Sequence, residues 1–131
     1  MAPRSSPFAD FAAAADDVAA TRSKLAKRDR LAAYLRGLPA NDLPLAATFL
    51  SGKPLPGAAD RLGLGWVQQA AALVAASGAD EAAMSAAWLR HSDFGDVAAE
   101  LLAGRPLSGS PLTVADVAGA YRAMAEAANA E

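Results

Sequence analysis

The stretch SKLAKRDRLAAYLRGLP, residues 23–39, decides the fold class. Leu25, Leu31, Ala32, Leu35 and Leu38 are read as the apolar stripe of an amphipathic helix running from about Ser23 to Leu38. Gly37 and Pro39 end it, the first by suiting a C-terminal cap and the second by having no N–H to continue the ladder. No period-two alternation competes with this reading. The same stretch, taken from Arg22 to Arg36, sets six cations against the single acid Asp29, in a chain whose formal net charge is −2. Two readings of that run are open, a solvated helix face or a stripe turned toward phosphates. Arg28 falls beside Leu25 and Leu35 and is expected to snorkel or to pair with an acid.

Working outward, the rest of the chain repeats the helical pattern. Alanine, the strongest helix former, is the commonest residue, and there is no isoleucine. A first helix is expected from about Pro7 to Ala20, with Ser6 as N-cap and Pro7 at the first helical position. A short one follows from Asp42 to Leu50, capped by Asn41 or Asp42, with Leu43, Ala46, Ala47 and Leu50 inward and Gly52 at a left-handed C-cap. Ser51–Gly57 is a loop, broken by two prolines and two glycines. The next helix opens after LGLGW (62–66), runs to Ala76 and is apolar over so wide an arc, Val67 included, that it is expected to be the most buried. Further helices are expected over Asp80–His91 and Asp96–Ala103. Thr113-Val114-Ala115-Asp116 has capping-box spacing and opens a last helix to about Ala128, with Val114, Val117, Tyr121, Met124 and Ala125 inward. The expectation is an all-α, compact multi-helix domain of about six or seven helices over residues 7–131, behind a flexible tail of residues 1–6.

Composition excludes several chemistries. With no cysteine there is neither a disulfide nor a thiolate metal site, and one histidine cannot build a multi-histidine zinc centre. No phosphate-loop, GxGxxG, nucleophile-elbow or HExxH pattern occurs, so no catalytic and no metal-binding residue is assigned. Asp80 with Glu81, and Asp93 with Asp96, sit at helix starts, where they stabilise the helix dipole. His91 is read as a C-terminal cap, with a phosphate contact as the alternative. Trp66 and Trp88 are read as packing residues, with base stacking or a partner contact as the alternative. No secretory signal and no membrane-length apolar run is present, which points to the cytoplasm and to no membrane partner. The pI of about 5.3 weighs against a free-standing nucleic-acid binder.

One local pattern runs the other way. Leu62-Gly63-Leu64-Gly65 opens a helix with unencumbered backbone N–H groups at the positive end of its dipole, a place where a phosphate can sit. Arg61 precedes it, and Lys53 lies in the loop before.

Four stretches, taken in order, carry a resemblance: Leu50-Ser51-Gly52-Lys53-Pro54-Leu55-Pro56, Leu62-Gly63-Leu64-Gly65-Trp66, Phe94-Gly95-Asp96-Val97-Ala98 and Leu112-Thr113-Val114-Ala115-Asp116-Val117. Following Phe8-Ala9-Asp10-Phe11 and Ser23-Lys24-Leu25, they resemble the N-terminal DNA-binding domain of ATP-dependent DNA ligases, the bacterial and archaeal branch most closely. The resemblance covers about Phe8 to Ala128. It implies an all-α domain that grips nicked duplex DNA from the minor-groove side. Its implied companions are a nucleotidyltransferase domain and an oligonucleotide-binding-fold domain, which seal nicks in repair, replication and recombination. The whole enzyme would use ATP and Mg2+. This chain needs no cofactor of its own, because its lysines Lys24, Lys27 and Lys53 lack the Lys-x-Asp-Gly context of an adenylated lysine. The family's glycine- and serine-rich loop and second set of helices are expected beyond Ala128, so the domain reads as cut short at its C-terminus. If DNA is touched, the contacts are expected at the backbone of Gly63 and Gly65 and the side chains of Lys53, Arg61 and Arg105. These would be sequence-independent contacts to the phosphate backbone. The other reading is a non-catalytic helical protein-interaction module with no nucleic-acid role.

Overall fold

Side chains capping helix starts divide this chain into its elements. The computed structural model describes residues 4–56, 62, 64–103 and 112–129. They form seven α-helices and no sheet: α1 (Phe8–Ala19), α2 (Lys24–Arg36), α3 (Leu43–Leu50), α4 (Trp66–Ser77), α5 (Glu81–His91), α6 (Phe94–Leu101) and α7 (Val114–Asn129). Ser23, Asp80 and Asp93 accept from the backbone N–H of Ala26, Ala83 and Asp96, which starts α2, α5 and α6. The expected capping box at α7 is complete. Thr113 Oγ1 accepts from Asp116 N at 3.1 Å, and Thr113 N donates to Asp116 Oδ2 at 2.9 Å. Gly52 adopts φ of 86°, the left-handed turn expected where α3 stops, and Gly78 ends α4 the same way at 73°.

The chain divides into two units. The first holds α1, α2, α3 and α7 (Met1–Gly63 with Ser110–Glu131), the second α4, α5 and α6 (Leu64–Gly109). In the first, α1 packs along α2, and Ala14, Tyr34 and Ala46 are buried with Phe11, Leu35 and Leu38 against them. Alanine at such contacts lets helix axes approach closely. The Tyr34 hydroxyl is buried and has no hydrogen-bond partner among the described residues. Burial first, then the negative charges of Asp42 and Asp10, push its pKa up. Tyr34→Phe is therefore expected to raise stability by about 1 kcal/mol, because an unsatisfied buried hydroxyl is removed at constant shape. A lower thermal midpoint in that variant would mean the hydroxyl serves a purpose.

Within the segment expected to be a tail, Ser5 and Ser6 are hydrogen-bonded to α3 and α7. Ser5 Oγ donates to Asp42 Oδ1 at 2.8 Å, and Ser6 N donates to Asp42 Oδ2 at 2.6 Å. Val114 N donates to the Ser6 carbonyl, Ala115 N to Ser5 Oγ, and Phe8 N to the Leu112 carbonyl. Ser6 is therefore not the N-cap of α1. Pro7 holds that position, outside the helix and bridged to Thr113, because Ser6 is committed to α3 and α7. Likewise Asp42 makes no side-chain cap for α3, since both carboxylate oxygens face the N-terminal segment.

Other expectations about faces need correction. Leu25 is 63% exposed, whereas Tyr34 takes the buried position on α2. Six residues at 100° each put Leu25 about 120° away from Leu31, off the stripe that Leu31, Leu35 and Leu38 share. Leu43 is exposed as well, on the first turn of α3. In the second unit, α6 begins at Phe94, two residues before the expected start, because Asp93 rather than Asp96 is its cap. Met84, Ala87 and Val97 are buried with Ala70, and Leu73, Val74, Trp88, Phe94 and Leu101 pack against them. The fourth helix is not the most buried. It contributes only Ala70 to the buried set, and Val67 is 72% exposed, since within this unit its neighbours α5 and α6 cover one side.

Glu100 joins α5 to α6. Its carboxylate accepts from Arg90 Nε at 3.0 Å and from Arg90 Nη2, and it meets His91 Nε2 at 3.0 Å. His91 thus ends α5 paired with an acid. The Arg90 hydrogen bonds, then the His91 one, hold the Glu100 carboxyl at about 2 against an ordinary 4.5. The folded pKa is depressed, so this contribution is fully present above pH 4.5 and is lost as pH falls toward 2. The helicity of the second unit should decline over that window. Glu100→Gln should flatten the decline, and an unchanged acid profile in that variant would remove the ion pair from the account.

Candidate nucleic-acid interface

Lys53 sits at the end of a turn built by α3. Gly52 takes the left-handed conformation, its N–H donates to the Phe49 carbonyl at 3.0 Å, and Lys53 N donates to the Thr48 carbonyl at 3.2 Å. Those bonds fix the backbone, so the exposed Lys53 side chain leaves a rigid point. It stands in the first unit, on the rim of a cleft of about 320 Å3 lined by Phe8, Phe11, Phe49 and Tyr121.

Gly65 belongs to the second unit and is the N-cap of α4, with φ −89° and ψ 177°. That is ordinary extended backbone, so the conformation itself does not require glycine. What glycine provides there is room, because a Cβ would fall 2.8 Å from Gln68 Oε1. Gln68 Oε1 accepts the Gly65 N–H at 3.0 Å, which is one half of a capping box. The Gly65 N–H is therefore engaged within the chain. The other half is missing, since glycine has no side chain to accept from the first turn. The N–H groups of Trp66, Val67 and Gln68 have no hydrogen-bond acceptor among the described residues, whereas a side chain satisfies one first-turn N–H at each of α2, α5 and α6, and all three are satisfied at α7. Three such donors at a helix N-terminus favour an anion. Arg61, Gly63 and Arg105 lie outside the described residues.

The cations around α2 do not form one outward stripe. Arg30 pairs with Asp17 at 2.6 Å and Arg28 with Asp29 at 3.0 Å. Arg30 and Lys27 are half-buried, whereas Arg22, Lys24 and Arg36 are exposed. The outermost face of the helix carries Arg36 among Leu25, Ala26, Asp29 and Ala33. Trp66 lies edge-on to Trp88 at 6.0 Å and beside Phe94, yet remains 51% exposed, so it is both a packing residue and a surface ring. Sequence reasoning missed Gln68, the aromatic cleft and the bonds of Asp42 to Ser5 and Ser6, having read Asp42 only as a cap of α3. Only Gln68 had a signal, standing three residues after an expected N-cap. Among the described residues no cluster of three or more histidines or acids could hold a metal ion. No helix among them is long and apolar enough to cross a membrane.

Residues 7–131 match the family described as DNA ligase N terminus. The chain is 44% identical over 101 residues to a probable DNA ligase of Opitutus terrae, covering 76% of this chain and 10% of that protein. It is 47% identical over 58 residues to a probable DNA ligase of Pseudarthrobacter chlorophenolicus, covering 44% of this chain and 11% of that protein. A probable DNA ligase of Beutenbergia cavernae is 44% identical over 59 residues, covering 45% of this chain and 11% of that protein. The matched part spans about a tenth of the length of these relatives. No solved structure matches the chain.

Proposed function

This chain belongs to the DNA ligase N-terminal family, and on that premise we propose that it is a DNA-binding part of a ligase, holding nicked duplex through sequence-independent backbone contacts. The observation that carries the reading is the family match over residues 7–131. The structure supplies groups suited to it: a rigidly mounted lysine at Lys53 and, at the start of α4 behind Gly65, three donors with no acceptor among the described residues. Arg61, Gly63 and Arg105 join them on the sequence pattern alone. Contacts of this kind read phosphates rather than bases, which suits an enzyme that must act on any nick.

The chemistry of sealing belongs elsewhere in such an enzyme. Lys24, Lys27 and Lys53 are followed by Leu-Ala, Arg-Asp and Pro-Leu, so none stands in a Lys-x-Asp-Gly motif. ATP, Mg2+ and the adenylated lysine are assigned to a nucleotidyltransferase domain, with an oligonucleotide-binding-fold domain completing the grip. We place its work in the cytoplasm, in DNA repair, replication and recombination.

The test is a titration of the 131-residue chain with nicked duplexes of two unrelated sequences at low and moderate salt. Binding should be alike for both sequences and should fall steeply with salt, and Lys53→Gln should lower the salt slope by about 1. Absence of binding at low salt would favour the second reading, a protein-interaction module. One observation supports that alternative: Trp66 and Val67, at 51% and 72% exposed, border an apolar groove along α4 and the start of α5.

A further inference from the structure

Aromatic residues are scarce here, at 6% of the chain, yet four of them line the cleft beside Lys53. Phe8 stacks on Phe11 at 5.1 Å, and Phe49 meets Phe8, Phe11 and Tyr121 edge-on at 6.3, 5.8 and 5.6 Å. These four all stay half-buried around the cleft, whereas Tyr34 is buried in the same unit with Ala14, Ala46, Leu55, Val114 and Ala118. The cleft, at about 320 Å3, is of a size that takes a small ligand. Its apolar walls are π-faces and edges, and its rim carries a cation and the Gly52 turn. An aromatic surface beside a positive charge matches a ligand that is planar at one end and anionic at the other.

We propose that this cleft holds a single unstacked nucleotide, its base against the rings of Phe8, Phe49 and Tyr121 and its phosphate at Lys53. The inference rests on the DNA-binding reading above and sharpens it: besides gripping the paired backbone, the first unit takes a base displaced from the duplex. Every base has a π-face, so the cleft accepts any of the four, in keeping with sequence-independent binding.

The test uses the 131-residue chain and two probes, deoxyadenosine 5′-monophosphate and deoxyribose 5-phosphate, followed by NMR at the aromatic ring signals. The nucleotide should shift the Phe8, Phe49 and Tyr121 rings, whereas the sugar phosphate, which has no base, should leave them in place. Phe8→Leu keeps apolar bulk but removes a ring face, and should weaken nucleotide binding about fivefold or more, the low end of base-on-ring stacking. Lys53→Gln should weaken it with the rings intact, which keeps the test open if Phe8→Leu disturbs helicity. Equal shifts from both probes, or nucleotide shifts confined to other residues, would overturn the proposal. Parallel titration with nicked duplex separates the two claims. Duplex binding without any nucleotide effect at the rings overturns the cleft and leaves the DNA-binding reading standing. Loss of both overturns both.

Discussion

Asp42→Ala is expected to destabilise the first unit by about 3 kcal/mol, the sum of hydrogen bonds to a charged acceptor and the donors left behind. Asp42 is 2% exposed, and its two oxygens accept from Ser5 Oγ and Ser6 N. Without the carboxylate, Ser6 N loses its acceptor inside the protein. Ser5 Oγ, which also accepts from Ala115 N, loses the bond that orients it. The start of α7 is then affected too, because Val114, Ala115 and Asp116 have their N–H groups satisfied by Ser6, Ser5 and Thr113 respectively. Asp42→Asn keeps one acceptor and should fall between wild type and alanine. Denaturant melts followed at the tyrosines report this change, since Tyr34 and Tyr121 are both in the first unit. Midpoints equal to wild type in both variants would show that the N-terminal segment contributes nothing to holding α3 and α7.

Met84→Ala should have an effect of similar or greater size in the second unit, roughly 2–5 kcal/mol, the usual range for truncating a buried methionine. The buried set there is small: Ala70, Met84, Ala87 and Val97, of which Met84 is the largest side chain. Two of its partners are alanines, which cannot reach into the space that a shortened side chain leaves. Partly buried Trp88 and Phe94 rest on the same cluster and would lose their support. Trp66 and Trp88 are the only tryptophans, and both lie in this unit, so tryptophan fluorescence reads its unfolding separately from the tyrosine signal. Met84→Leu, which nearly conserves volume, should cost under about 1.5 kcal/mol. If the alanine variant melts within experimental error of wild type, the cluster is not what holds α4, α5 and α6 together.

The sequence signals that point to the candidate interface are local. A glycine-opened helix start, a lysine in a proline-rich turn and an ordered set of short stretches can all be read from neighbours along the chain. The aromatic cleft was not legible. Phe8 and Phe11 read as one apolar face, Phe49 as added bulk on a short helix, and Tyr121 as an inward residue of the last helix. Nothing in their spacing says that four partly exposed rings surround one space, because residues separated by most of the chain length supply them. The run of cations on α2 misled in the opposite direction. Counting charges suggested a stripe, whereas Asp17 on α1 and Asp29 on α2 itself engage two of them.

Helix identity and most helix boundaries were decided by the sequence alone. Caps at Ser23, Asp80, Thr113, Gly52 and Gly78 act over three or four residues, and hydrogen bonds at that range need no distant partner. Tertiary structure decided what each face does. It turned Leu25 and Val67 outward, Tyr34 inward, and gave Asp42 to Ser5 and Ser6 instead of to its own helix. Burial and long-range hydrogen bonding depend on which helix lies opposite, and that is fixed only when the elements pack.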